Sequence, residues 1–268
     1  MGYTETDPFM QDLLPLDGLQ NAVTTLTAAA KKRARAALWE GQLIAGLQLE
    51  WLSATGVRVK PGCAYVQGHG LISVGANIDK TGLSLLALGF YHLYLYNSGT
   101  VASPAAAVEV VSADPVGYCG PASQKTGDTS RRFMGSVRTD GSGNILAFKH
   151  VLPNFIRYLD NVSGSPNRVL TAGAATAETT VSCASVVPPT GRAAMFRAAN
   201  TSNQNALFGS SEDGITLSGS SFIDAVTANW EKTIVLPLNA SQSFTYLLGG
   251  VPASGGAYAD CLGYWFDR

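Results

Sequence analysis

Charge is scarce in this chain. Asp, Glu, Lys and Arg make up 14% of its 268 residues, well under the roughly 25% of an ordinary globular domain. The formal net charge is −1. A nucleic-acid binder usually carries a basic stripe, so no nucleic-acid partner is expected. The one basic cluster, Lys31, Lys32, Arg33 and Arg35, reads as a solvated helix face or an assembly contact. Long hydrophobic runs are missing too. The longest, Leu83–Tyr96, is broken by His92 and falls short of the roughly 20 residues of a spanning helix. Membrane insertion is therefore not expected.

Histidine is rarer still: His69, His92 and His150 are the only three. A Ser-His-Asp or Cys-His centre would have to draw on them, and no Gly-x-Ser-x-Gly elbow accompanies them. His92, inside an apolar run, reads as a hydrogen-bonded core residue. His69 and His150 read as surface residues. The four cysteines, Cys63, Cys119, Cys183 and Cys261, lack zinc-knuckle or redox spacing. They read as small buried hydrophobes in a protein made in a reducing cytoplasm. The first 18 residues have no basic segment followed by an apolar one, so no secretory signal is expected.

Other routes to catalysis are equally thin. Gly120–Thr126 (GPASQKT) superficially resembles a phosphate loop, but Gln124 stands where the second glycine should precede the lysine. The carboxylates Glu212, Asp213 and Asp224 are candidates for an acid pair. Glu212-Asp213-Gly214 reads better as a turn, and no β-helix repeat is present. No catalytic, cofactor-binding or metal-binding residues are expected.

What is abundant is β texture. Residues 1–18 form a polar, turn-rich arm. A helix is expected from about Leu19 to Glu40, with Leu19, Val23, Leu26, Ala30, Arg33 and Ala37 spaced as a short heptad seam that could join protomers. Alternating strands begin near Gly46. They include Leu47–Ser53, Gly56–Val66 with its Pro-Gly turn, Leu71–Ile78, Leu83–Tyr96 as a central strand, and Ala105–Ser112. Pro115–Asp128 reads as a loop, Arg131–Phe148 as a hairpin turning at Thr139–Asn144, and Phe155–Leu159 as an added edge. Asn161–Asn167 (NVSGSPN) reads as a linker. Beyond it, seven segments from Thr179 to Phe266 alternate with turns every 8–12 residues. The expected fold is mainly β: residues 1–45 as arm and oligomerisation helix, a β domain over 46–160, a linker over 161–167, and a β-sandwich over 168–268. Both β domains are expected to be antiparallel and sandwich- or jelly-roll-like, the second able to fold alone. The low charge and the mean hydropathy of +0.12 suggest apolar surface covered by copies of the chain.

Three stretches carry a resemblance. FYHLYLYN, Phe90–Asn97, is followed by VEVVSADPVGY, Val108–Tyr118, and by RRFMGSVRTDGSGNILAF, Arg131–Phe148. That order over roughly 45–160 resembles a module of bacteriophage tail fibres and other phage surface-structure proteins. The ending, with Ser241–Tyr246 and Gly263–Phe266, resembles the C-terminal β-sandwiches of phage fibres and receptor-binding proteins. The resemblance implies a non-enzymatic virion protein made in the host cytoplasm: a tail fibre or tail-tip component, trimeric, joined to other proteins of the tail, baseplate, portal or capsid. A host-surface glycan or protein would be its further partner. Trp230, beside a turn, is the aromatic most readily exposed and the candidate host contact. A head or collar decoration, and a carbohydrate-binding surface module, are the alternatives.

Overall fold

The computed structural model describes residues 42–151, 154–159, 166–210 and 216–268. The expected N-terminal helix, with Leu19, Val23, Leu26, Ala30, Arg33 and Ala37, lies outside the described residues, as do Glu212 and Asp213 and most of the expected linker.

Strands dominate. The first six are β1 (Ile44–Gly46), β2 (Leu49–Ser53), β3 (Gly56–Val59), β4 (Gly62–Val66), β5 (Gly70–Val74) and β6 (Ile78–Lys80). Then come β7 (Phe90–Asn97), β8 (Ala106–Val111), β9 (Pro115–Cys119), β10 (Ala122–Lys125), β11 (Asp128–Arg138), β12 (Phe148–Val151) and β13 (Phe155–Tyr158). After residue 167 follow β14 (Arg168–Gly173), β15 (Thr179–Ser182), β16 (Gly191–Asn200) and β17 (Ala206–Gly209). The last four are β18 (Asp224–Val226), β19 (Glu231–Pro237), β20 (Ser243–Leu248) and β21 (Ala257–Phe266). The protein is mainly β and its sheets are antiparallel.

A nine-stranded sheet runs β19-β16-β21-β13-β12-β2-β3-β6, with β14 also on β21. Its inner face meets two smaller sheets. The five-stranded sheet β8-β7-β11-β10-β9 lays Phe133 edge-on to Phe266 at 6.2 Å, while the Tyr264 hydroxyl donates to the Ser136 carbonyl. The four-stranded sheet β15-β20-β17-β18 brings Phe244 to 5.1 Å from Phe196 and 6.1 Å from Phe208. Truncating such a ring to Ala costs about 3–5 kcal/mol. Residues from both sides of 161–167 thus share one sheet and one continuous core. Asn167 itself is fully buried, accepting from Arg138 at 3.0 Å.

Several expectations change. β7 is central and buried on both faces from Tyr91 to Leu95, as its composition requires. Yet the strand begins only at Phe90: Leu86 and Leu88 are exposed, and Leu88 has φ +54°, a conformation that ends extended pairing. Pro115–Asp128 is not a loop; β9 and β10 form an edge hairpin. Pro115 opens its strand at the sheet margin, where a missing N–H is tolerated. The Thr139–Asn144 turn forms as expected, with the Asp140 carboxylate accepting from the Ser142 and Asn144 amides. Its return strand does not continue beside β11, however. After the Thr139–Ile145 bridge the chain crosses to β2 and β13, because Ile145 is held by the Ala54 carbonyl and the Trp51 indole. β13, expected as an edge, lies between β21 and β12.

Candidate functional site

Strand β7 carries the residue types of a nucleophilic centre. His92 on β7 is directly opposite Ser136 on β11. Its Nδ1 lies 2.8 Å from Ser136 Oγ and its Nε2 3.2 Å from Asp114 Oδ1. A carboxylate accepts, so Nε2 carries the proton and the Ser136 hydroxyl donates to Nδ1. Burial pushes the His92 pKa down, and nearby Asp114 opposes that shift. The three residues form a relay, but Ser136 is only 1% exposed and has no substrate-facing side. The relay fixes β7 to β11. Two places further along β7, Tyr94 donates to the Ala113 carbonyl at 2.6 Å. Burial, then Asp114 and Glu109, raises its phenol pKa far above the ordinary range. On this face His92 and Tyr94 are core, while Phe90 and Tyr96, at its two ends, are half-buried.

His92 is the hydrogen-bonded core residue expected. His150 is not on the surface: it is 6% exposed, with Nδ1 accepting the Leu49 amide at 3.0 Å. His69 is half-buried beside Asn97. Cys183 and Cys261 are buried free thiols and Cys63 is a half-buried one. Burial raises both buried thiols, Cys261 to about 12. Among the described residues no three His, Cys, Asp or Glu side chains gather as a metal site. No described helix is long and apolar enough to cross a membrane.

Sequence reading gave no hint of the buried charges. Asp260 on β21 is fully buried and takes a two-pronged contact from Arg168, at 2.7 and 3.1 Å. Arg197 bonds Asp260 at 3.3 Å and also pairs with Glu231. Such forked pairs fix geometry as well as charge.

Among the described residues the most exposed aromatic is Trp230, 70% accessible. It ends the turn that opens β19, and three loops meet there. Asn200, buried at the end of β16, bonds four times. Its amide donates to the Gln204 and Val226 carbonyls, and its oxygen accepts from the Ser202 amide and hydroxyl. A fifth bond comes from the backbone: the Asn200 main-chain N–H donates to the Trp230 carbonyl at 2.8 Å. Asn205 receives the Ala228 amide, and Asn203 the Ala253 amide. Gly255, at φ +74°, lies so close to Thr201 that a Cβ would stand 2.3 Å from its carbonyl oxygen. Loops 201–205, 227–230 and 249–256 are thereby tied together, with Trp230 and Val251 projecting outward. The chemistry available there is apolar and stacking contact with a partner, with no titratable nucleophile or base.

Compared with known proteins, the chain matches no family model. No curated protein matches it either.

Proposed function

We propose that the chain is a structural protein of a bacteriophage particle, a tail fibre or tail-tip component, whose loops around Trp230 contact the host surface. The observation that carries this reading is the exposed Trp230 on a hydrogen-bonded loop platform. A rigid scaffold that presents an aromatic on loops is a common design for recognition. The order of segments resembling phage fibre modules supports the same reading. So does the β architecture, taken here as two sandwich-like units sharing the large sheet. In this account the protein is made in the host cytoplasm and sits in the virion as a homotrimer held by the 19–37 seam. It is not an enzyme, and the burial of Ser136 supports that. Its other partners are virion proteins and a host glycan or protein.

Adsorption competition tests the reading. Purified full chain should block adsorption of the phage that carries it. Trp230→Ala should weaken the block about tenfold or more, as interface tryptophans commonly do, without lowering the melting temperature. A chain that folds but leaves adsorption unchanged would overturn the host-contact role.

A further inference from the structure

Register across the large sheet places a specific set of side chains on its outer, solvent-facing side. Directly paired residues of antiparallel strands share a face. One row reads Pro237 (β19), Ala193 (β16), Trp265 (β21), Phe155 (β13) and Val151 (β12). It is apolar from end to end. Trp265 and Phe155 stack at 4.3 Å between ring centroids, with 34° between their planes. The next row reads Val235, Met195, Gly263, Arg157, Lys149 and Glu50. Gly263 carries no side chain between Met195 and Arg157, and the Phe155 ring, itself only 8% exposed, fills the place. A Cβ there would meet the Ile156 carbonyl oxygen at 2.2 Å and the tip of the Phe155 ring at 2.8 Å.

The charges on this face divide sharply. Arg58 pairs with Asp79 and Glu50, and Lys60 with Glu50. Arg168 and Arg197 pair with Asp260, and Arg192 with Asp267. Arg157 and Lys149, side by side on β13 and β12 and both exposed, have no carboxylate partner among the described residues. Glu50, opposite Lys149, is engaged by Arg58 and Lys60 instead. Adjacent strands lie about 4.8 Å apart, and diagonal neighbours about 7–8 Å. Arg157, two residues along β13 from Phe155, and Lys149, a diagonal neighbour of Phe155, thus set two cations with no carboxylate partner among the described residues beside the aromatic pair.

We propose that this patch, Trp265 and Phe155 with Arg157 and Lys149, binds an acidic saccharide. The Trp265 ring supplies a flat apolar surface for the C–H face of a sugar, with a polar tip for a hydroxyl. Arg157 offers a fork suited to a carboxylate or phosphate, and Lys149 adds a point charge. The occupant is a uronic-acid polysaccharide, whose pyranose ring carries the carboxylate. The patch lies on a different part of the molecule from the Trp230 loops, so the assignment stands without the particle reading.

Affinity electrophoresis of the full chain tests it. Gels would contain polygalacturonate, glycerol teichoic acid, neutral dextran, or no polymer. Retardation by polygalacturonate but not by dextran is expected, with weaker retardation by glycerol teichoic acid, a polyanion that has no sugar ring. Retardation should fall with added salt. The double variant Arg157→Gln/Lys149→Gln, altering exposed side chains only, should weaken it at least about tenfold with an unchanged melting temperature. Trp265→Phe should weaken binding less than the double variant. Four outcomes overturn the proposal: no retardation by polygalacturonate, equal retardation by dextran or by teichoic acid, full retardation of the double variant, or tighter binding of single-stranded DNA at the same salt. A fifth would do so as well: dissociation of an oligomer by the double variant, which would make the face a contact between copies.

Discussion

The guanidinium of Arg268 donates to the carbonyl of Leu47 at 3.1 Å, joining residues 221 positions apart. The same group donates to the Gly46 carbonyl at 3.0 Å and to the Asn154 side chain at 2.8 Å. Burial, and then the nearby Arg132 charge, lower its pKa to about 10. Arg268, two residues beyond β21, thus holds the backbone at the end of β1.

Arg268→Ala leaves two backbone carbonyls without their donor. It should cost about 2–4 kcal/mol in equilibrium urea unfolding. By the same logic residues 168–268 expressed alone lose the β13 partner of β21 and the packing of Phe133 on Phe266. That fragment should lack a cooperative transition, while residues 42–268 unfold in one.

The His92 relay sets a pH dependence. Its folded pKa is pushed below the ordinary 6.5, so the unfolded chain binds the proton more readily. Stability is full above about pH 6.5 and falls as the pH drops from there toward the lower folded value. Unfolding measured at pH 7.5 and 5.5 should show that loss, and His92→Gln should reduce the slope while lowering stability at pH 7.5. Ser136→Ala removes the donor to Nδ1 and should cost about 1–3 kcal/mol.

Thiol chemistry gives a third check. Denatured, unreduced protein should titrate four thiols, one for each cysteine in the sequence. In the native protein at pH 8, Cys183 and Cys261 should stay unmodified and Cys63 should react, as read by peptide mass mapping. Fewer than four thiols after denaturation would mean a disulfide, and the reducing-compartment argument would fail.

Local pattern made part of this fold legible. The apolar composition of Tyr91–Leu95 announced a strand covered on both faces, and Asp140 with Gly143 announced a turn. Trp230 could be picked out because turn residues precede it, and it is exposed. What stayed hidden depends on distant pairing. Phe155–Tyr158 is interior because β21, a hundred residues later, adds beside it. His150 is buried because the Leu49 amide reaches it across the sheet. The patch of Trp265, Phe155, Arg157 and Lys149 exists only once the register of β21, β13 and β12 is known. Leu83–Gly89 misled through composition alone: leucines in a loop look like leucines in a strand.

Immunogold electron microscopy of intact particles, with antibody against residues 42–268, tests the central claim most directly. The account predicts gold on the tail or its tip, and light scattering of the purified chain at three times its 28.0 kDa mass. Gold on the head or collar, or particles that carry none of the chain, would contradict it.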